Sequence, residues 1–212
     1  MKYFEVKKEL EKKILFLCVV FMKKFYMEEQ TIFSIGHGNK TIDQFISELH
    51  SFDIQFLIDI RSKPYSKFSQ HFSQQPLKLL VEKEHIRYVY MGNELGGLPT
   101  HDYTCFTNDG KVDYSKLKEK DFFKKGLQRL LKAYSQGIKV CIMCSESDPK
   151  MCHRSKLIGE ELKSFGVTLQ HIIGISKIKT QNQVISELTK GFGLVNLFGD
   201  ESLTSKKAYV EV

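Results

Sequence analysis

Apolar residues follow two different spacings along the chain from residue 31 onward. Short apolar runs, rich in β-branched and aromatic residues, predict five buried strands: 31–35, 56–60, 86–90, 138–143 and 167–173. Between them, apolar residues three and four positions apart predict helices: 41–49, 77–81, 119–135, 153–165 and a more polar one near 180–190. Thr41 and Gln44 form a capping-box pattern, so we expect the first helix to begin there.

Strands and helices alternate with short connections, which indicates right-handed crossovers between parallel strands. The runs Phe56–Ile60 and Val140–Met143 are almost uniformly apolar, so both faces of the sheet are expected to be covered. We therefore predict an α/β fold of three layers, Rossmann-like, with a mostly parallel five-stranded sheet and helices on both faces.

The pattern divides the chain into one domain and two flanking segments. We predict an α/β domain at 31–190, an N-terminal appendage at 1–30 and a loose C-terminal tail at 191–212. The apolar run Ile14–Met22 is shorter than the roughly 18–20 residues that span a bilayer, so we expect no membrane span. Our interpretation is that translation starts at Met27; a peripheral amphipathic helix in the appendage is the alternative.

Composition and charge narrow the class of protein only a little. Hydrophobic residues make up 42% and charged residues 27%, as in a globular protein, which argues against a disordered chain. The net charge of +7 suits a phosphate-bearing partner, but there is no arginine-rich stripe, and we favour solvated lysines as its explanation. Five cysteines, an odd number without an export signal, indicate reduced thiols and a cytoplasmic protein.

Polar residues follow the predicted strands at the edge where sheets of this class bind ligands. They are His37 after the first strand, Asp59, Arg61 and Ser62 after the second, Glu94 after the third, and Cys144, Cys152, His153 and Arg154 after the fourth. Because the carboxyl ends of parallel strands meet at one edge, we expect these side chains to form one site. Glu94 also lies near the start of a long stretch without a sustained period, 91–117, which is interpreted as a lid or as a plain exposed loop.

The loop after the fourth predicted strand is the most specific of these segments. Arg154 lies where a helix begins, beside free backbone N–H groups, and a guanidinium there suits bidentate binding of phosphate or carboxylate. The same field favours a thiolate at Cys144 or Cys152, either of which is a candidate nucleophile. The alternatives are that both cysteines are small buried apolar residues and that Arg154 pairs with Glu146 or Asp59.

The loop after the second predicted strand places an acid and a base two residues apart. Asp59 lies within an apolar run, where a carboxylate is costly unless it is paired or functional. It is a candidate general base, or a residue that orients His37 or Arg154; the alternative is a salt bridge with Arg61. His37 lies between two glycines that allow a ligand to approach the backbone closely.

The spacing of the cysteines also allows a metal site. Cys144, Cys152 and His153 offer three ligands for zinc, with Cys141 nearby. Three-residue spacing in a strand, however, points Cys141 and Cys144 to opposite faces, and adjacent residues such as Cys152 and His153 rarely ligate one ion. We therefore expect no metal and no cofactor, and keep a zinc-stabilised interaction domain as a lesser hypothesis.

Four motifs, in order and in register, resemble the DUF488 family over about residues 31–190. They are Ile32–Asn39, Asp59–Ser66, Asn93–Gly97 and Cys144–Arg154. The family often has arginine directly after the second motif, where this chain has Lys67, which weakens bidentate anion binding at that position. The resemblance implies the fold and the pocket, but the family name records that its activity is not established. Some relatives are linked to nucleic-acid modification, which implies a nucleotide or nucleobase ligand.

Two functions follow from these expectations. The first is an enzyme acting on a phosphate-bearing small molecule or nucleic acid, with Asp59, His37, Cys144 or Cys152 catalytic. Its anion site consists of Arg61, Ser62, Glu94, His153 and Arg154. The second is a non-catalytic module that senses a nucleotide or modified base with the same residues.

Overall fold

A six-stranded sheet forms the middle layer of the protein. The computed structural model describes residues 30–196, 199–200 and 203–209. The strands of this sheet are β1 (Ile32–Gly36), β2 (Phe56–Asp59), β3 (Arg87–Tyr90), β5 (Val140–Cys144), β6 (Leu169–Gly174) and β7 (Lys177–Thr180), and their order across the sheet is β3-β2-β5-β1-β6-β7. The predicted appendage, including Met27 and the run Ile14–Met22, lies outside the described residues, and the domain bounds stay a prediction.

Parallel pairing joins five of the six strands, which confirms the predicted α/β fold with a mostly parallel sheet. The sixth strand, β7, is antiparallel to β6 at the edge and was not predicted. Its four residues, Lys177–Thr180, are polar or exposed and follow β6 after a tight turn. Such a strand has too few buried positions to produce a period in the sequence.

Seven α-helices accompany the sheet within the described residues. They are α1 (Ile42–His50), α2 (Gln74–Lys83), α3 (Gly92–Leu95), α4 (Tyr114–Leu117), α5 (Asp121–Ser135), α6 (Glu160–Ser164) and α7 (Gln181–Leu188). The predicted capping box is confirmed, because the Thr41 hydroxyl accepts from the backbone N–H of Gln44 and the Gln44 side chain accepts from that of Thr41. A π-helical turn, Arg154–Gly159, precedes α6, so the helix predicted at 153–165 has two parts.

Two apolar cores cover the two faces of the sheet. Ile142 and Cys144 of β5 point into one core with α5 and α6, whereas Cys141 and Met143 point into the other with α1 and α2. The alternation confirms that Cys141 and Cys144 lie on opposite faces. The described helices include none that is long and apolar enough to cross a bilayer.

Short elements occupy the stretch 91–117, for which the sequence predicts a long loop without a sustained period. Besides α3 and α4 it contains a 3₁₀ turn and a short strand, β4 (Lys111–Asp113). Within the predicted tail, two-residue strands β8 (Val195–Asn196) and β9 (Gly199–Asp200) pair with each other. A longer strand, β10 (Thr204–Ala208), pairs antiparallel with β4 and so brings the C-terminal segment onto the domain.

Candidate functional site

A cavity of about 460 Å³ lies where the segments after β2 and β5 meet β10. Its wall contains five of the predicted site residues: Arg61, Ser62, Cys144, Cys152 and His153. A larger cavity, of about 840 Å³, is lined by none of the predicted site residues. The smaller cavity is therefore the candidate functional site, since polar and sulfur-bearing side chains that follow several strands line it.

Arg154 shapes the loop that connects β5 to the π-helical turn. Its guanidinium is 1% exposed and donates to the backbone carbonyls of Glu146 (2.8 Å) and Ser147 (2.9 Å). The expected pairing with Glu146 thus involves the carbonyl oxygen and not the carboxylate. Arg154 does not line the cavity, so its predicted role as an anion ligand stays a prediction, while its contacts support a role in holding the loop.

Three ligand-type atoms meet at the bottom of this loop. Nδ1 of His153 lies 3.8 Å from Sγ of Cys144 and 3.7 Å from Sγ of Cys152. The Cys144 thiol also donates to the Glu146 carboxylate, at 2.9 Å from Oε2. Cys144, Cys152 and His153 are each less than 10% exposed, and all three lie on the cavity wall.

The two buried sulfurs differ in acidity. The neighbouring Cys152 sulfur, together with burial, raises the pKa of Cys144 well above its usual value. Burial would raise the pKa of Cys152 as well, but the neighbouring Cys144 and the charge of His153 outweigh it and lower that pKa. The pKa of His153 is raised, since the Cys152 charge outweighs the effect of burial. Of the two sulfurs, Cys152 is therefore the one that ionises more readily.

Asp59 and Arg61 form a buried salt bridge, the alternative considered for them from the sequence. Nε and Nη2 of Arg61 donate to the two carboxylate oxygens at 2.9 and 2.6 Å, and the Tyr88 hydroxyl donates to Oδ2 at 2.6 Å. Nη1 of Arg61 donates to the carbonyl of Phe72 at 2.7 Å. Asp59 is fully enclosed and does not line the cavity, whereas Arg61 does.

His37 packs behind Arg61, away from the cavity wall. Its ring stacks on Phe72 with centroids 4.4 Å apart, and its Nδ1 lies 3.0 Å from the carbonyl of Gly38. Nε2 lies 3.5 Å from Nη1 of Arg61. Burial lowers the pKa of His37 to about 4, so the ring is neutral at pH 7. The proposed catalytic role of His37 stays a prediction.

Ser62 and Glu94, two predicted anion-site residues, lie in different places. The Ser62 hydroxyl lines the cavity and accepts a hydrogen bond from the backbone N–H of Leu98 at 3.0 Å. The Glu94 carboxylate instead pairs with Nη1 of Arg129, a residue of α5, at 2.7 Å. The structure therefore brings Ser62, but not Glu94, to the wall on which Arg61 and the cysteines lie.

Sequence reasoning missed the part of the wall that comes from the C-terminal segment. Lys206, Lys207 and Tyr209 all line the cavity, and Lys63 adds a further cation after β2. The segment is short and polar, and its position depends on pairing with β4, about ninety residues earlier in the chain. A local pattern cannot indicate such a contact.

Comparison with known proteins identifies a family for the segment that contains most of the site. No curated protein matches the chain. Residues 41–159 match the family model described as Domain of unknown function DUF488. The matched segment includes Asp59, Arg61 and the loop with both cysteines, and it excludes β1 and β10. Because the match covers more than half of the chain, the protein belongs to the DUF488 family.

Proposed function

We propose that the protein is an enzyme that binds a phosphate-bearing substrate, a nucleotide or a nucleic-acid strand, in the cavity of about 460 Å³. The observation that carries this proposal is the sharing of one wall by the Cys144–Cys152–His153 group and a set of lysines. Lys63, Lys206 and Lys207 make no ion pair among the described residues. A cavity of this size is in the usual range for small-molecule sites.

Electrostatics of the wall favour an anion. Glu146 is the one acidic side chain that lines the described cavity, whereas three lysines do so. Arg61 adds little net charge, because Asp59 directly behind it neutralises the guanidinium. Lysines held near a low-dielectric wall attract phosphate and raise its local concentration. The surplus of positive charge at this wall therefore supports phosphate binding.

An aromatic side chain offers a place for a nucleobase. Tyr209 is 50% exposed and lines the same cavity, next to the two lysines of β10. Base–aromatic stacking contributes about 1–3 kcal/mol and tolerates any base. Phosphate on the lysines and a base on Tyr209 would together fill a site of this kind, which is why we favour a nucleotide over a simple phosphate ester.

The sulfur–imidazole group is the proposed reactive centre. Asp59 is enclosed by Arg61 and Tyr88, and His37 has internal partners, so neither side chain reaches the cavity. Glu146, exposed and adjacent to Cys144, is the better-placed base. The chemistry needs reduced thiols, the condition of the cytoplasm, where we place the protein. The enclosure of Asp59 and His37 is also what favours the second candidate, a sensing module without turnover.

Anion binding is tested by fluorescence anisotropy with labelled single-stranded oligonucleotides and by thermal shift with nucleoside phosphates. We expect the Lys206→Ala/Lys207→Ala variant to bind at least about tenfold more weakly and to lower the slope of log affinity against log salt by about 1–2. The control is Lys125→Ala/Lys177→Ala, which removes the same charge from exposed positions outside the cavity. Equal losses in the two variants, or no binding by the wild type, would reject the proposal.

Turnover is tested separately from binding. Cys152→Ser retains the lysines and Tyr209, so we expect binding to persist while product formation from the bound nucleotide is lost. A wild-type protein that binds nucleotide but yields no product would support the sensing module over the enzyme.

A further inference from the structure

We infer that Cys144, Cys152 and His153 form a zinc site whose fourth coordination position faces the cavity. This inference goes beyond the proposed function and does not depend on phosphate binding. The three ligand atoms, two sulfurs and a ring nitrogen, all lie within 4.8 Å of one another. Among the described residues no other group of three or more such side chains comes together in this way.

Distances within the group match the edges of a zinc tetrahedron. Zn–S bonds of about 2.3 Å and Zn–N bonds of about 2.0–2.1 Å place a sulfur and a nitrogen about 3.6 Å apart at the tetrahedral angle. The observed separations of Nδ1 of His153 from the two sulfurs are 3.8 Å for Cys144 and 3.7 Å for Cys152. Both nitrogen–sulfur edges are thus within a few tenths of an ångström of those of a zinc tetrahedron, and the two sulfurs lie within 4.8 Å of each other.

The donor set selects the class of metal. Two thiolates and an imidazole are soft to borderline ligands, which bind zinc and not magnesium or calcium. Sites with two cysteines and one histidine occur in catalytic zinc centres, where a water takes the fourth position. Here the three side chains line the wall of the cavity, so a water or a substrate atom has room to complete the tetrahedron.

Backbone conformation explains how adjacent residues contribute to one site. Cys152 is extended (φ −121°, ψ 146°), whereas His153 is helical (φ −62°, ψ −20°), so the chain turns between them. That turn directs both side chains toward Cys144 at the end of β5. Adjacent residues rarely ligate one ion, but here the turn between Cys152 and His153 brings both side chains to the same place.

Neighbouring residues hold the His153 ring in position. A Cβ on Gly97 would lie 2.7 Å from Cγ and Nδ1 of that ring, so glycine is required for this packing. Nε2 of His153 is buried and has no hydrogen-bond partner among the described residues. Nδ1 is the ring nitrogen that lies 3.8 and 3.7 Å from the two sulfurs, so it is the one placed to act as a ligand.

Charge and protons balance when zinc binds. Zinc binding needs both cysteines as thiolates and His153 as a neutral imidazole, so binding releases protons, and the two thiolates neutralise the charge of the ion. Glu146, whose carboxylate lies 2.9 Å from Sγ of Cys144, accepts the thiol proton and would afterwards lie beside a metal-bound water.

The test is metal binding by the full chain under reducing conditions. Protein stripped with a chelator is titrated with Zn²⁺, and separately with Co²⁺, whose absorption reports thiolate ligands and tetrahedral geometry. We expect one equivalent of either metal per chain. Cys152→Ser and Cys144→Ser should each weaken zinc binding by more than about 100-fold. Changing a residue that contacts a ligand but not the metal typically costs about 10–100-fold, so a larger loss identifies a ligand.

Cys141→Ser is the matched control, since Cys141 lies on the same strand as Cys144 but points into the opposite core. It should bind zinc as the wild type does. Circular dichroism and thermal unfolding of each metal-free variant test whether it is folded. His153→Gln removes the third ligand while both cysteines are retained, and it should also weaken zinc binding. Less than one equivalent in the reduced wild type, or equal losses in Cys141→Ser and Cys152→Ser, would overturn the inference. Nucleotide binding is measured independently, so the two proposals can fail separately.

Discussion

The carboxylate of Asp59 is enclosed by donors on every side that the structure describes. Arg61 donates from its backbone N–H, Nε and Nη2, and Tyr88 donates from its hydroxyl. Both members of the salt bridge are at most 2% exposed at the side chain. Removing one partner of such a pair leaves an uncompensated buried charge, which costs far more than the pair itself contributes. These hydrogen bonds hold Asp59 and Arg61 together, and the catalytic role predicted for Asp59 stays a prediction.

Asp59→Asn should lower the free energy of unfolding by about 3–5 kcal/mol, because it leaves the Arg61 guanidinium buried without a counter-charge. The measurement is equilibrium unfolding in urea. Glu119→Gln, which breaks an exposed ion pair with Lys124, is the control and should cost less than about 1 kcal/mol. Similar losses in both variants would show that the Asp59 pair is not buried as described.

Single residues of the site could be predicted from the sequence because a charge in an apolar run must have a partner. That argument found Asp59 and Arg61 and offered their pairing as an alternative. It could not decide whether Arg154 faces a ligand or the protein, since backbone carbonyls of Glu146 and Ser147 are acceptors that no side-chain pattern reveals.

At the scale of elements, the end of β1 and the loop after β5 touch at Gly36. A Cβ on this residue would lie 1.8 Å from the carbonyl oxygen of Glu146 and 2.5 Å from Nη1 of Arg154. The same carbonyl accepts the hydrogen bond from Arg154 that shapes the loop. The backbone N–H groups of His37 and Gly38 donate to the carbonyls of Cys144 and Ser145, at 3.0 and 2.9 Å, so the strand end and the cysteine loop can move apart only if these bonds break.

Gly36→Ala should cost about 1–3 kcal/mol of stability, since a backbone carbonyl has to shift to admit the methyl group. Gly174→Ala is the matched control at the end of β6, where the nearest atom would be 3.6 Å away. We expect it to change stability by less than about 0.5 kcal/mol. Thermal unfolding of both variants measures the difference, and an unaffected Gly36→Ala protein would contradict the close approach.

Periodicity predicted the elements that bury a face and missed those that do not. The five parallel strands and the Thr41 cap have local patterns, and each was located within a few residues. The edge strand β7 and the short strands β4 and β10 are held by pairing with distant partners, so the sequence around them shows no period.

On the scale of the whole molecule, two neutral buried histidines link stability to pH. His171 of β6 accepts from the Ser34 hydroxyl at Nδ1 (2.6 Å) and donates from Nε2 to Oε1 of Gln181 (2.8 Å). The amide nitrogen of Gln181 donates to Ser155 and Glu160, which fixes its oxygen toward the ring. Burial lowers the pKa of His171 to about 4, as it does for His37.

Between pH 6.5 and pH 4 the unfolded chain takes up a proton at His171 and the folded protein does not. Stability therefore falls as the pH falls through this window, by about 3 kcal/mol for this one group, and levels off below pH 4. His171→Gln keeps a donor for Gln181 but does not titrate, so its slope should be shallower by about 1.4 kcal/mol per pH unit. Urea unfolding across the window measures both proteins, and parallel curves would refute the assignment.

The location of the site could be predicted at this scale, because parallel strands end at a common edge. Arg61, Ser62, Cys144, Cys152 and His153 do line one cavity there. The part of the wall that comes from the C-terminal segment could not be predicted, since its residues reach the site by pairing with β4 at long range.

The C-terminal part of the wall, Lys206, Lys207 and Tyr209, lies beyond residue 159, where the family match ends. The matched segment contains the positions of both cysteines and His153 but not the positions of these three residues. The proposed reactive group and this C-terminal part of the proposed binding wall lie in separate stretches of the sequence, so exchanging residues 203–209 between homologues would alter the wall without changing either cysteine.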